Sequence, residues 1–390
     1  MSRHNFDRIL ERRGTDSVKW NTYPEDVLPM WVADSDFTAP EPLVSALQKR
    51  VAHGVFGYSD MKPAQVGLAV CHWMRSRFGW AVAPEAVAFS PSVVVSLALG
   101  VLTFTRPGDG AVFLTPSYPP FFRVCEGHGR RALTSALIPD VDAPGGYRID
   151  FADLESKMAQ PGARLFILCN PHNPTGRVFS REELLRMGEL CAKYDLLIIS
   201  DEIHCDYVFP PLAHLPLASL SPDLARRTLT VLNPSKTFNI ADLHASALIS
   251  ENPEYLQRFA SAAQGLSLHS GALGVLALQT AYLECAWYAD EARDYVKANL
   301  DFAVPYINAN LPGITAYLPQ STYLLWLDCR ALGLGQAELV DFFLNKAKLA
   351  MNSGTDFGPD GAGFMRMNLA CPRATLLEGL KRLETALKSR

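Results

Sequence analysis

Asn233-Pro234-Ser235-Lys236-Thr237-Phe238-Asn239 follows the apolar run Thr228–Leu232, and two earlier polar clusters are built the same way. Asn170-Pro171-His172-Asn173-Pro174-Thr175-Gly176 follows Leu165-Phe166-Ile167-Leu168, and Ser200-Asp201-Glu202-Ile203-His204 follows Leu196-Leu197-Ile198-Ile199. Runs that are apolar at every position suit strands covered on both faces. Working outward, Val87–Phe89, Ala111–Leu114, Ala132–Leu137, Leu165–Cys169, Leu196–Ser200, Thr228–Leu232 and Ala245–Ile249 all read as strands. Helical stretches lie between them. Glu182–Tyr194 begins after Ser180, a good N-cap, with Glu183 in capping-box position. The alternation predicts an α/β domain with a mostly parallel, seven-stranded sheet. Such sheets bind ligands at the carboxyl ends of their strands, where the three clusters lie.

The flanks differ from this core. Residues 1–45, rich in turn formers and aromatics, read as an N-terminal arm and part of a smaller domain, and 46–285 as the large domain. Residues 286–390 read as a small α+β domain, with strands at Thr322–Leu327 and Phe364–Leu369 and a last helix from Ala374. The boundary near 280 falls inside helical sequence. The chain has 390 residues, enough for two domains, 48% hydrophobic and 19% charged, as in a globular protein. A net charge of −4 and the lack of a long basic run argue against a nucleic-acid surface. The longest apolar run, Val93–Phe104, is too short to span a bilayer and reads as a buried helix. The opening Met1-Ser2-Arg3-His4 has no signal-peptide core, so a cytoplasmic location is expected, without membrane attachment. The 8 cysteines are scattered without a C-x-x-C pair, which favours reduced thiols over disulfides or a metal site.

Lysine, acid and amide at successive strand ends suit a site that holds a pyridine ring and an aldehyde, which points to pyridoxal 5'-phosphate (PLP). The Lys236 amine would bond the aldehyde and later act as a base. Asp201 would keep the pyridine nitrogen protonated; read alone, it is equally a strand-end cap. Asn173 suits a donor to the phenolic oxygen, or an Asx-turn closed on its own backbone. His204 suits the same oxygen, or a structural role. Ser92, Val93 and Val94 open a helix after a strand and offer phosphate donors, or an ordinary N-cap. Tyr118 suits ring stacking, or a core plug. Arg366, in Gly363-Phe364-Met365-Arg366-Met367-Asn368-Leu369, suits an amino-acid carboxylate, or an edge strand's solvated face.

Together these residues resemble the fold-type I PLP enzymes of the aspartate aminotransferase superfamily, and within it the MalY/PatB subgroup of cystathionine β-lyases and other carbon–sulfur lyases. Arg13-Gly14-Thr15-Asp16-Ser17-Val18-Lys19-Trp20, Pro29-Met30-Trp31-Val32-Ala33-Asp34 and Gly54-Val55-Phe56-Gly57-Tyr58 carry the subgroup likeness. Asn170–Val178, Ser200–Cys205, Pro234–Ile240 and Arg366–Arg373 extend it over nearly the whole chain. The resemblance implies Lys236 as the Schiff-base lysine, Asp201 as pyridinium partner, Asn173 at the phenolic oxygen and Tyr118 on the ring. It implies Arg366 as carboxylate clamp, Ser235 among the cofactor contacts and Ala33 in a segment closing over substrate. Tyr58 would reach the phosphate of a partner subunit, so a homodimer with two shared sites is implied. Where the aminotransferases usually carry Gly-x-Arg, this chain has Asp242-Leu243-His244, and His244 is the candidate replacement donor.

The expected activity is β-elimination from cystathionine or another S-substituted cysteine, giving thiol, pyruvate and ammonia. The alternative is an aminotransferase acting on an amino acid and a 2-oxo acid. A third expectation, from a different class, is a regulator that binds a transcription factor.

Overall fold

The computed structural model describes residues 3–59 and 63–390. The first two residues of the expected arm, and 60–62 of the expected large domain, lie outside that range.

All seven expected strands form one sheet: β1 Val87–Ser90, β2 Gly110–Thr115, β3 Arg131–Ala136, β4 Ala163–Cys169, β5 Leu197–Asp201, β6 Thr228–Leu232 and β7 Ser246–Ile249. Their order is β1-β7-β6-β5-β4-β2-β3, parallel throughout except for β7, which runs antiparallel to both neighbours. The uninterrupted apolar runs have a simple cause. Alternate residues serve two cores. Val112, Leu114, Phe166, Leu168 and Ile198 face one, with Leu184 and Met187 of the helix Arg181–Lys193. Ala111, Phe113, Leu165, Ile167 and Ile199 face the other, with Leu97 and Val101 of the helix Val93–Phe104. A polar side chain at any of these positions would lose water on either face, so none is there.

Ser180 and Glu183 make the expected capping box, each side chain accepting from the other's backbone N–H. Gly100 shows how closely helix and sheet approach: a Cβ there would stand 2.4 Å from Ile199 Cδ1.

The second sheet is antiparallel. Its strands are β8 Thr315–Ala316, β9 Leu324–Asp328, β10 Asn352–Ser353 and β11 Phe364–Asn368, in the order β8-β9-β11-β10. Arg366 therefore sits on an inner strand and is buried, not on an edge strand facing water. The helices Ala272–Glu284 and Ala286–Asn310 break at Cys285, yet a single core runs across the break, from Leu278 and Tyr282 to Tyr288, Leu300 and Leu380. Segment 30–37 crosses between the two sheets, with Met30 and Phe37 anchored in that same core.

Candidate active site

Strands β4, β5 and β6 are adjacent and parallel, so whatever follows them converges. Cys169 of β4 pairs with Asp201 of β5, and Asp201 with Val231 of β6. Asn173 follows the first strand, Asp201 ends the second, and Lys236 follows the third. With Ser92, Val93, Val94 and Tyr118 from the ends of β1 and β2, they line one cavity of about 140 Å3. His204, Ser235 and Ala33 line it too, as do Cys169, Ile203, Asn233 and Ala241.

Lys236 lies in the short helix Ser235–Phe238, fixed at its start by Asn233, whose Oδ1 accepts from the Ser235 amide at 2.7 Å. Its amine donates to the carbonyl oxygen of Ala33 at 2.7 Å. Loss of water pushes the amine's pKa down to about 8; Asp34 and Asp201 oppose the fall, and the Arg366 charge adds to it. A lysine so shifted holds a useful fraction of neutral amine near pH 8.

Asp201 is buried, and burial pushes its carboxyl up to about 7 although the Ile203 N–H, 3.2 Å away, and the Lys236 charge pull it down. It serves the local turn, as the plain reading had it. It is also a buried acid short of positive charge, which a pyridinium would supply. His204 is buried, its pKa lowered to about 3 by loss of water, so the ring is neutral; its Nδ1 is enclosed without a hydrogen-bond partner. Asn173 does not close an Asx-turn. Its Oδ1 accepts from Arg366 Nη1 at 3.0 Å, 193 residues away in sequence. Ser92 caps its helix, accepting from the Val95 amide at 3.2 Å. Val93 and Val94, whose first-turn amides a helix leaves without internal acceptors, line the cavity. The donor amides, the orphaned imidazole nitrogen, the acid and the lysine fit PLP.

Arg366 reaches the cavity through Asn173. Its Nη2 donates to the Trp31 carbonyl at 3.1 Å and to Asn352 Oδ1 at 2.6 Å, while its Nε is buried without a partner. Burial pulls its pKa down to about 10, against the opposing pull of Tyr118, Tyr323 and Asp356.

Two candidates are not brought in. The side chain of His244 is turned to solvent, where the turn Ala241–Leu243 ends with His244 in a left-handed conformation (φ 53°); its ring lies 3.9 Å from Asp242. Tyr58 is fully exposed in the single chain, beside an open cleft of about 840 Å3 that also includes Arg50, Phe56 and Ser270. Sequence reading missed Tyr323, whose hydroxyl also donates to the Ala33 carbonyl, at 3.0 Å. It missed Asn352 as well, which stands in a two-residue strand with no motif around it.

A lysine with a lowered pKa, a buried strand-end acid, a neutral histidine and helix-start amides around one cavity define an enzyme that works through PLP. The chain belongs to the aminotransferase class I and II family, whose model matches residues 26–383. It is 45% identical to cystathionine beta-lyase PatB of Bacillus subtilis, over 98% of this chain and all of that protein. Among solved structures, a PLP-bound protein from Clostridium difficile superposes with a TM-score of 0.95 at 35% identity, covering 98% of this chain and 100% of that one. Cystalysin of Treponema denticola, which contains the same cofactor, gives 0.94 at 33% identity, over 99% of each chain. The seven-stranded sheet and separate small domain are those of fold-type I PLP enzymes. Among the described residues, no helix is long and apolar enough to cross a membrane, and no group of three or more His, Cys, Asp or Glu could hold a metal ion.

Proposed function

We propose that this chain is a carbon–sulfur β-lyase, converting cystathionine or another S-substituted cysteine, with water, to a thiol, pyruvate and ammonia. The observation that carries this reading is the cavity that joins the Lys236 amine, Asp201 and the Arg366–Asn173 pair, in a chain 45% identical to a cystathionine beta-lyase over its full length. PLP, when bound, supplies an electron-poor ring that accepts the electron pair left at the substrate's Cα. Arg366 presents a planar fork to the α-carboxylate and so fixes which bond at Cα faces Lys236. Lys236, free as an amine near pH 8, takes the Cα proton. With PLP bound, Asp201 would keep the ring nitrogen charged, Asn173 and His204 would serve its phenolic oxygen, Tyr118 would stack on the ring, and Val93, Val94 and Ser235 would hold the phosphate. Departure of the β-thiolate, not return of the proton to the cofactor's carbon, separates this reaction from transamination.

Tyr58, wholly exposed with Val55 and Phe56 beside it, supports a homodimer in which each copy completes the other's phosphate site. Eight free cysteines support a reducing, cytoplasmic setting.

The test is a panel of S-substituted cysteines given to the PLP-loaded protein, with thiol and pyruvate measured separately. Equal amounts of both are expected with no 2-oxo acid added. Turnover that requires a 2-oxo acid and releases no thiol refutes the lyase and establishes the aminotransferase, the activity that gives the family its name.

A further inference from the structure

The segment 30–37 has no regular structure along most of its length, so its backbone carbonyls must find partners elsewhere. They find them one by one. Met30 O accepts from the Asn368 amide at 2.8 Å, and Trp31 O from Arg366. Val32 O and Asp34 O both accept from Asn368 Nδ2, each at 2.6 Å. Ser35 O and Phe37 O both accept from Asn239 Nδ2, each at 2.9 Å, while Asn239 Oδ1 accepts from the Ser35 amide at 3.2 Å. On the far side, Arg12 and Lys19 hold the Asp36 carboxylate at 2.7 and 2.8 Å. The carbonyl of Ala33, between the two that Asn368 holds, receives the Lys236 amine and the Tyr323 hydroxyl.

The placement of the two asparagines matters. Asn239 stands three residues after Lys236, and Asn368 two residues after Arg366. Each ties the strap to the element that carries a reacting or clamping group. We propose that Asn239 and Asn368 are positioning residues: Asn368, by holding the carbonyls on either side of Ala33, and Asn239, by holding those of Ser35 and Phe37 further along the strap, fix the Ala33 carbonyl as the acceptor that aims the Lys236 amine, and they keep that amine in register with Arg366. This rests on the reading of Lys236 as the base.

Asn239 lies at φ 55°, a conformation glycine adopts freely, so Asn239→Gly removes the clamp without backbone strain. In N239G, hydrogen exchange of the Ser35 amide in cofactor-free protein should accelerate about tenfold or more. The PLP-loaded variant, with cofactor content matched to wild type by absorbance, should lose about 10- to 100-fold in kcat with KM changed less than about threefold. In Asn368→Ala, both kcat and KM should worsen, because Arg366 shares the strap through Trp31. A residue that merely supports folding would not split the two constants this way. Faster exchange with unchanged kcat overturns the proposal, and so does unchanged exchange in N239G. If N368A fails to fold, N239G alone decides. Lys236→Ala, run beside them, separates the two failures: retained activity there removes the lysine reading itself, whereas an inactive K236A with a fully active N239G removes only the strap.

Discussion

Asp201→Asn should make the cofactor-free protein more stable and the loaded enzyme far worse. The carboxyl's pKa rises from 3.8 to about 7 on folding, chiefly through loss of water. A folded pKa above the unfolded one means that the group's contribution is intact below about pH 4 and is lost as pH climbs through 7. About three units at 1.36 kcal/mol each give a cost near 4 kcal/mol above pH 7. Asparagine keeps an oxygen for the Ile203 amide and carries no charge, so it should recover about 2–4 kcal/mol of this at pH 8. The gap should close on acidification toward pH 4. In the loaded enzyme the same change removes the partner of the ring nitrogen, and kcat/KM should fall by about 100-fold or more. Urea unfolding of the cofactor-free pair at pH 4, 6 and 8, beside kcat/KM of the loaded pair, reads both effects. Equal stability of the two cofactor-free proteins at pH 8 would refute the claim that Asp201 is an uncompensated buried acid. Full activity of D201N would refute its place beside the ring.

Lys236→Ala should lower kcat by about 1,000-fold or more and leave any bound PLP removable by dialysis, read by assay and by absorbance of the filtrate. Arg366→Ala should cost about 2–4 kcal/mol in transition-state binding, or about 30- to 1,000-fold in kcat/KM, and Arg366→Lys less, because it keeps the charge and loses the fork. Mixing inactive K236A with inactive Y58A under conditions that exchange subunits should restore activity, since one site of each hybrid then carries both wild-type residues; no recovery removes the shared-site dimer. Glu202→Ala should lower the denaturation midpoint by about 3–5 kcal/mol equivalent, because Glu202 joins buried His214 at 2.7 Å and accepts from Ser200 and Leu217 at 2.8 and 3.1 Å.

The sheet was legible because burial on both faces leaves the strands mostly apolar, with few charged residues, and the resulting runs mark the seven strands to within a residue or two at each end. Lys236, Asp201 and Asn173 were legible for the complementary reason: polar residues at the ends of such runs have left one core and entered no other. Arg366 was ambiguous, because an alternating strand looks the same at an edge as inside a sheet, and only β10, two residues long, makes β11 an inner strand. His244 was offered because it stands where related enzymes usually carry an arginine, and that likeness does not show that this left-handed residue turns its side chain outward. The partners of Lys236 were beyond reach for a deeper reason. The atom its amine meets is a backbone carbonyl, which every residue owns, and what distinguishes the carbonyl of Ala33 is that its neighbours are taken. Those neighbours, Val32 and Asp34, are taken by Asn368, more than 330 residues away in sequence. Side chains that do chemistry leave a trace in composition at their own positions; side chains that aim them act through geometry closed only by the folded chain.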